Sequence, residues 1–163
     1  MNSLWTENIE MPEFPTLEKD IRTQVLIIGG GMAGVLCAYF LQQAGVDYCR
    51  VEKDRICQGV TGHTTAKITA QHGLIYEKSL QSMGQERAEL FLKANLRAVE
   101  NYKNLGRFLD CDMEETDSYL YSVRERRKLE SEIQALGSLG FQADYTEDTE
   151  LPFEVEGAIR FQR

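Results

Sequence analysis

Four consecutive apolar residues, Val25-Leu26-Ile27-Ile28, are cut off abruptly by three glycines. A run this short and this rich in branched residues predicts a strand. Its lack of alternation predicts one buried on both faces, as in a parallel sheet. After the glycines the apolar positions switch to helical spacing over residues 32–44. They stop at Gly45, a residue suited to the left-handed turn that ends a helix. A second strand is expected over residues 47–51, closing on Glu52. Strand, glycine turn, helix and strand within roughly 30 residues make a β–α–β unit.

Residues 59–65 hold glycines, threonines and a histidine, with no period. Beyond them a long amphipathic helix is expected. A capping box of Ser82 with Gln85 opens it, and Ala88, Phe91, Leu92, Val99, Tyr102, Leu105 and Leu109 line one face. A further helix is expected from Ser122, boxed with Glu125, burying Leu129, Ile133 and Leu136 and stopping near Gly140. The tail over 141–163 alternates acids with apolar residues, which predicts short strands, the last beginning at Gly157-Ala158-Ile159-Arg160-Phe161. The expected class is α/β: a Rossmann-like β–α–β fold with an inserted helical segment. The expected organisation is an arm over 1–22, a nucleotide-binding β–α–β segment over 23–75, a helical segment over 76–140 and the start of a substrate domain over 141–163. Two parallel strands cannot cover both faces of a sheet. The fold is therefore expected to be incomplete at its C-terminus, with apolar faces that favour a homo-oligomer.

Composition narrows the function classes. The 163 residues are 42% hydrophobic and 27% charged, ordinary for a soluble globular chain. No apolar run approaches the roughly 20 residues that span a bilayer. The first twenty residues hold acids, Pro12 and Pro15 where a signal peptide would have a basic patch and an apolar stretch, so a cytoplasmic location is expected. A net charge of −8 and a pI near 4.9 disfavour nucleic acid as a partner. The one basic cluster, Arg124, Arg126, Arg127 and Lys128, alternates with Glu125, Glu130 and Glu132, which predicts a solvated helix face. The four cysteines, Cys37, Cys49, Cys57 and Cys111, form no C-x-x-C pair, and His63 and His72 stand at no zinc-like spacing from them. Cys37 and Cys49 are expected as buried free thiols, and no metal site is expected. Asp110, Asp112, Glu114 and Glu115 fit no calcium loop and read as a solvated acidic turn.

The chemistry is carried by Gly29-Gly30-Gly31-Met32-Ala33-Gly34, a G-x-G-x-x-G hexapeptide placed between a strand and a helix. Gly29 allows the tight turn, Gly31 lets the backbone approach a pyrophosphate, and Gly34 lets helix and strand pack closely. The helix then starts at the phosphate with free N–H groups and the positive end of its dipole. Glu52 follows 23 residues after Gly29, at the end of the next strand, where an acid accepts from an adenosine ribose. NAD and FAD sites share these features. The second loop, Gly59-Val60-Thr61-Gly62-His63-Thr64-Thr65, favours the longer FAD, whose ribityl-phosphate half requires further small residues, hydroxyls and N–H groups.

These stretches resemble the FAD-dependent oxidoreductase superfamily that includes D-amino acid and glycine oxidases, the DAO family. The closer resemblance is to a bacterial subgroup whose full-length members carry a C-terminal Rieske iron–sulfur domain. The similarity runs through Ser3-Leu4-Trp5, residues 25–34, Val51-Glu52-Lys53, residues 59–73, Asp110-Cys111-Asp112 and Leu151-Pro152-Phe153. It implies FAD, with Gly29, Gly31, Gly34 and Glu52 as AMP-side contacts and Thr61, Gly62, His63, Thr64 and Thr65 near the pyrophosphate and flavin. Met32, Ala33 and Lys53 are expected among the cofactor-binding residues as well. It also implies that this chain is an N-terminal fragment. No C-x-H or C-x-x-H spacing exists here, so a Rieske 2Fe-2S centre would belong to a later part of the protein. His63 sits in a loop similar to one where some relatives attach FAD covalently, but offset by a residue, so dissociable FAD is expected.

Lys67 and His72 follow the presumed flavin loop. A lysine there could stabilise reduced flavin, though a surface lysine and a hydrogen-bonded structural histidine are the expected readings. Trp5 is expected to anchor the arm. The function expected is flavin-dependent oxidation of a small amine or amino-acid-like molecule by hydride transfer. An NAD(P)-dependent dehydrogenase and a non-catalytic nucleotide-binding module are the alternatives. Catalytic residues are expected beyond Arg163.

Overall fold

The computed structural model describes residues 9–162, so the expectations on Ser3, Leu4 and Trp5 lie outside the described residues. The chain divides into two compact units, Met1–Lys67 and Ile68–Arg163.

In the first unit, β1 (Val25–Ile28) and β2 (Tyr48–Val51) pair in parallel, Val25 opposite Tyr48 and Ile28 opposite Val51, and α1 (Met32–Gln43) connects them. The helix stops as its sequence suggests. Gly45 takes φ +66°, and the Val46 N–H closes back on the Leu41 carbonyl at 3.0 Å. At the other end of the strands Asp47 gathers Thr23 and Gln24, accepting from the Thr23 hydroxyl (3.0 Å) and the Gln24 N–H (3.2 Å). Residues 9–22 run without helix or strand, with Phe14 under the Arg50 guanidinium of β2 (6.0 Å) and Glu13 near Arg55 (3.4 Å).

Two expectations for this unit are corrected. β1 is covered on one face only: Ile27 is 8% exposed, whereas Leu26 and Ile28 are 55% and 82% exposed. The strand carries apolar residues for two faces, and within this unit α1 packs against one. For a related reason the thiols are not buried. Cys37 lies on an uncovered side of α1 and is exposed, and Cys49 is half-buried.

The second unit is an antiparallel sheet backed by helices. Strands β3 (Ser118–Ser122), β4 (Asp144–Thr146) and β5 (Gly157–Phe161) align in the order β3-β5-β4, with Leu120 and Tyr145 both opposite Ile159. The helices are α2 (Tyr76–Met83), α3 (Gln85–Gly106) and α4 (Arg126–Ser138). Alternation along β5 turns Ile159 and Phe161 into a core with Tyr76, Ala88, Leu92, Leu129, Ala135, Leu136 and Leu139.

The helical segment therefore contains a strand, β3, that its sequence did not suggest. Five residues of alternating serine, tyrosine and leucine between an acidic stretch and a helix are a weak signal. The long helix is also preceded by a short one. Gly84, at φ +77°, separates α2 from α3 and occupies the cap position, so no Ser82–Gln85 box forms. Ser82 instead bonds the Ser79 carbonyl, and Gln85 the Ser138 carbonyl. Ala88 and Leu92 are buried and Phe91, Val99, Tyr102 and Leu105 partly so, but Leu109 lies beyond the helix and is 62% exposed. Half of the Ser122 box forms: its hydroxyl accepts the Glu125 N–H at 2.9 Å, while the Glu125 carboxylate turns to Lys128. The helix stops at Ser138, near Gly140 as expected, and Gly140 takes φ +82°.

Glu132 departs most from expectation. It is not on a solvated face but 1% exposed, and its two oxygens accept the Tyr76 and Glu77 N–H groups, each at 2.8 Å. An anion at the first turn of α2 satisfies N–H groups that have no acceptor within the helix. Burial and the Glu132 charge together push the Tyr76 phenol up to about 12. The rest of the cluster is exposed as expected, with Arg126 paired to Glu130 and Glu147 and Lys128 to Glu125.

Candidate functional site: the glycine turn and its surroundings

The turn between β1 and α1 is built on three consecutive glycines whose tasks differ. Gly29 takes φ +111°, outside the range comfortable for a side chain, while its N–H still extends the ladder to the Val51 carbonyl at 2.8 Å. Gly34 sits so close to the turn that a Cβ there would lie 2.0 Å from the Gly29 carbonyl oxygen. The close packing expected of this position is thus helix against turn backbone. At Gly31 a Cβ would come 3.2 Å from the Thr61 hydroxyl. The first bond of α1 runs from the Val35 N–H to the Gly31 carbonyl (2.9 Å), which leaves the N–H groups of Met32, Ala33 and Gly34 without acceptors inside the helix.

One of those three is met by the second loop. Residues Thr61–His63 form a turn of 3₁₀ helix, and the Thr61 hydroxyl accepts the Met32 N–H at 3.1 Å. A hydroxyl that accepts one N–H keeps its own proton to donate. Gly62 is buried, and the His63 ring is exposed with Nδ1 2.6 Å from the Gly59 carbonyl, a contact that requires the proton on Nδ1. The Thr64 hydroxyl accepts the Ala66 N–H at 3.3 Å, and Thr65 is exposed. The structure thus brings Gly31, Met32 and Thr61 together. It gives Thr65 and the exposed side chain of Lys53 no comparable placement.

Glu52 reaches the turn directly. Oε2 accepts the Gly30 N–H at 2.7 Å, and Oε1 accepts the Lys53 and Asp54 N–H groups at 2.8 and 3.2 Å. The Gly30 N–H, ahead of the Asp54 and Lys53 amides, holds this carboxyl below the usual glutamate range. Three neighbours were not singled out by their sequence: Gly30, Ile56 and Cys57. Gly30 is buried and its carbonyl accepts the Cys57 N–H at 2.9 Å, while a Cβ on it would lie 2.7 Å from Ile56 Cγ2. The third consecutive glycine was the available signal, since G-x-G-x-x-G leaves its second position free.

Lys67 is exposed, and His72 is exposed with Nε2 3.2 Å from Asn95 Oδ1. Asp110, Asp112 and Glu114 are exposed, and Glu115 pairs with Lys103 at 2.8 Å. Among the described residues no group of three or more His, Cys, Asp or Glu side chains could hold a metal ion, and no helix is long and apolar enough to cross a membrane.

Comparison with known proteins bears on what this turn serves. The family described as FAD dependent oxidoreductase (DAO) matches residues 24–161. The chain belongs to that family. It is also 36% identical over 152 residues to a Bacillus subtilis (strain 168) protein named "Putative Rieske 2Fe-2S iron-sulfur protein YhfW", a match covering 91% of this chain. The chain spans about 30% of that relative's length. The family match reaches across both units, through the sheet of the second as well as the glycine turn of the first.

Proposed function

We propose that this chain supplies the adenosine and pyrophosphate half of an FAD site in a flavin-dependent oxidoreductase acting on an amine or amino-acid-like substrate. The observation that carries the reading is the glycine turn: the start of α1, where the Ala33 and Gly34 N–H groups have no acceptor inside the helix and the Met32 N–H is held by Thr61, beside residues 29–31 that carry no side chain. A pyrophosphate fits this cradle. It gains the helix N–H groups and dipole, and Thr61 adds a hydroxyl proton from the second loop. Glu52 faces the ribose with what acceptor capacity Gly30, Lys53 and Asp54 leave it, and Lys53 lies beside it. Gly62, His63, Thr64 and Thr65 form the wall that continues toward the flavin.

FAD, when bound, accepts hydride at its ring, and the protein contributes orientation and electrostatics. The residues of this chain would grip the nucleotide end and exclude water from the phosphates. Substrate-binding residues and a Rieske 2Fe-2S centre, to which the relative's name points, would belong to parts of the protein outside residues 1–163. On this reading the 163-residue chain alone turns over no amine donor and binds FAD weakly. His63 does not carry the flavin covalently: acid precipitation of the intact protein releases flavin into the supernatant, and a yellow pellet that disappears in His63→Ala would contradict this. The general test is the absorbance of the purified intact protein. Visible flavin bands and turnover with amine donors support the proposal. A colourless protein that binds NAD instead would overturn it.

A further inference from the structure

Gly30 occupies the position of the hexapeptide to which the motif assigns no task, yet it is the most tightly held residue of the turn. Its N–H donates to Glu52 Oε2 at 2.7 Å and its carbonyl accepts the Cys57 N–H at 2.9 Å. The space a side chain would fill is taken by Ile56 Cγ2, 2.7 Å from an added Cβ, and by Glu52 Cβ at 3.2 Å. Cys57 makes its bond from φ +57°, a conformation a cysteine adopts against its own side chain.

Peptide planarity turns these contacts into a constraint on the loop. The Gly30 N–H belongs to the plane shared with the Gly29 carbonyl, and in a trans peptide the two point in opposite directions. Anchoring that N–H on Glu52 therefore fixes the Gly29 carbonyl, the atom that leaves only 2.0 Å for a Cβ on Gly34. The Gly30 carbonyl likewise shares a plane with the Gly31 N–H, so the Cys57 bond fixes the direction of that donor. Glu52 is in turn held by its own turn, through the Lys53 and Asp54 N–H groups. Of roughly four acceptor positions on a carboxylate, these contacts fill three.

We infer that segment 52–57 is a brace that sets the shape of the glycine loop through chain atoms alone, with Glu52 as its positioning residue in addition to any contact with a ribose. The inference rests on the proposed nucleotide site only for what the loop is used for. It also narrows that site, since Glu52 retains about one acceptor position and so serves one ribose hydroxyl.

The test is Glu52→Gln in the full-length protein, stripped of nucleotide. Backbone amide exchange is followed over residues 29–34 and 52–57, and FAD affinity is measured separately. Glutamine keeps the shape but turns one acceptor end into a donor, so it cannot accept N–H groups at both ends. The expected result is exchange roughly ten- to a hundredfold faster at the Gly30 amide in the nucleotide-free protein, confined to these two segments, with a parallel loss of FAD affinity. Unchanged exchange with reduced FAD affinity would mean that Glu52 acts on the nucleotide alone, and the inference falls. Faster exchange in Glu52→Gln, with no FAD binding by the unsubstituted protein either, would leave the brace standing and overturn the nucleotide proposal instead. If Glu52→Gln does not fold, Gly30→Ala and Gly30→Ala/Ile56→Ala replace it. Loop protection lost in the first and recovered in the second supports the brace, and protection unchanged in Gly30→Ala refutes it.

Discussion

The two units solve different problems with the same alphabet. The second encloses its own core: nine buried residues from three helices and the sheet, with an internal carboxylate, Glu132, capping α2. The first buries little. Among its described residues Ile27 and Ala38 are the buried apolar side chains, and one face of β1 stays open. What is tightly specified there is backbone: Gly29, Gly30, Gly34 and the segment that follows β2. One unit is held by side-chain volume and the other by the directions of N–H and C=O groups, which is the kind of order a nucleotide site uses.

That contrast can be broken by substitution. Leu136→Ala or Ile159→Ala in the second unit should cost about 2–5 kcal/mol, because both side chains are fully enclosed. Ile28→Ala, at 82% exposure, should change the stability of this chain by no more than about 0.5 kcal/mol. Denaturant melts compare them. A large loss at Ile28 would show that a second copy of the chain covers β1 in solution.

Next in size are changes of about 1–3 kcal/mol. Glu132→Ala strands the Tyr76 and Glu77 N–H groups and should lower thermal stability by that amount. Gly34→Ala forces apart the helix and the Gly29 carbonyl at a similar cost, and should also deplete flavin, as Glu132→Ala should not. Equal flavin content in the two variants would erase the distinction between the units.

The smallest effect is one of pH. The Glu52 carboxyl is held below its usual range, chiefly by the Gly30 N–H, so its contribution is present above the ordinary glutamate value of 4.5 and fades as pH falls through the lower folded value. Flavin retention should accordingly be flat through neutrality and decline only in acid. A step near pH 6–7 would place the controlling group elsewhere.

The β–α–β elements were legible because each has a local cause: the apolar run of β1, the glycines, and the left-handed stop at Gly45. Family membership was legible for the same reason, since its motifs are contiguous. What escaped detection depended on distant partners. β3 is a strand because β5 lies beside it, with Tyr121 opposite Ala158. Glu132 is buried because α2 starts 56 residues earlier in the chain with N–H groups to satisfy. Gly30 matters because Ile56 and Cys57 fold back onto it. Spacing shows none of these.

The central claim, that residues 29–34 and Thr61 cradle the phosphates of FAD, is tested most directly by the flavin content of the intact protein carrying Gly31→Val. An added Cβ there would come 3.2 Å from the Thr61 hydroxyl, which would have to give by a few tenths of an ångström, and a branched side chain would stand where the proposed pyrophosphate would lie. The account predicts a folded protein purified without flavin. Near-normal flavin content in that variant would contradict it.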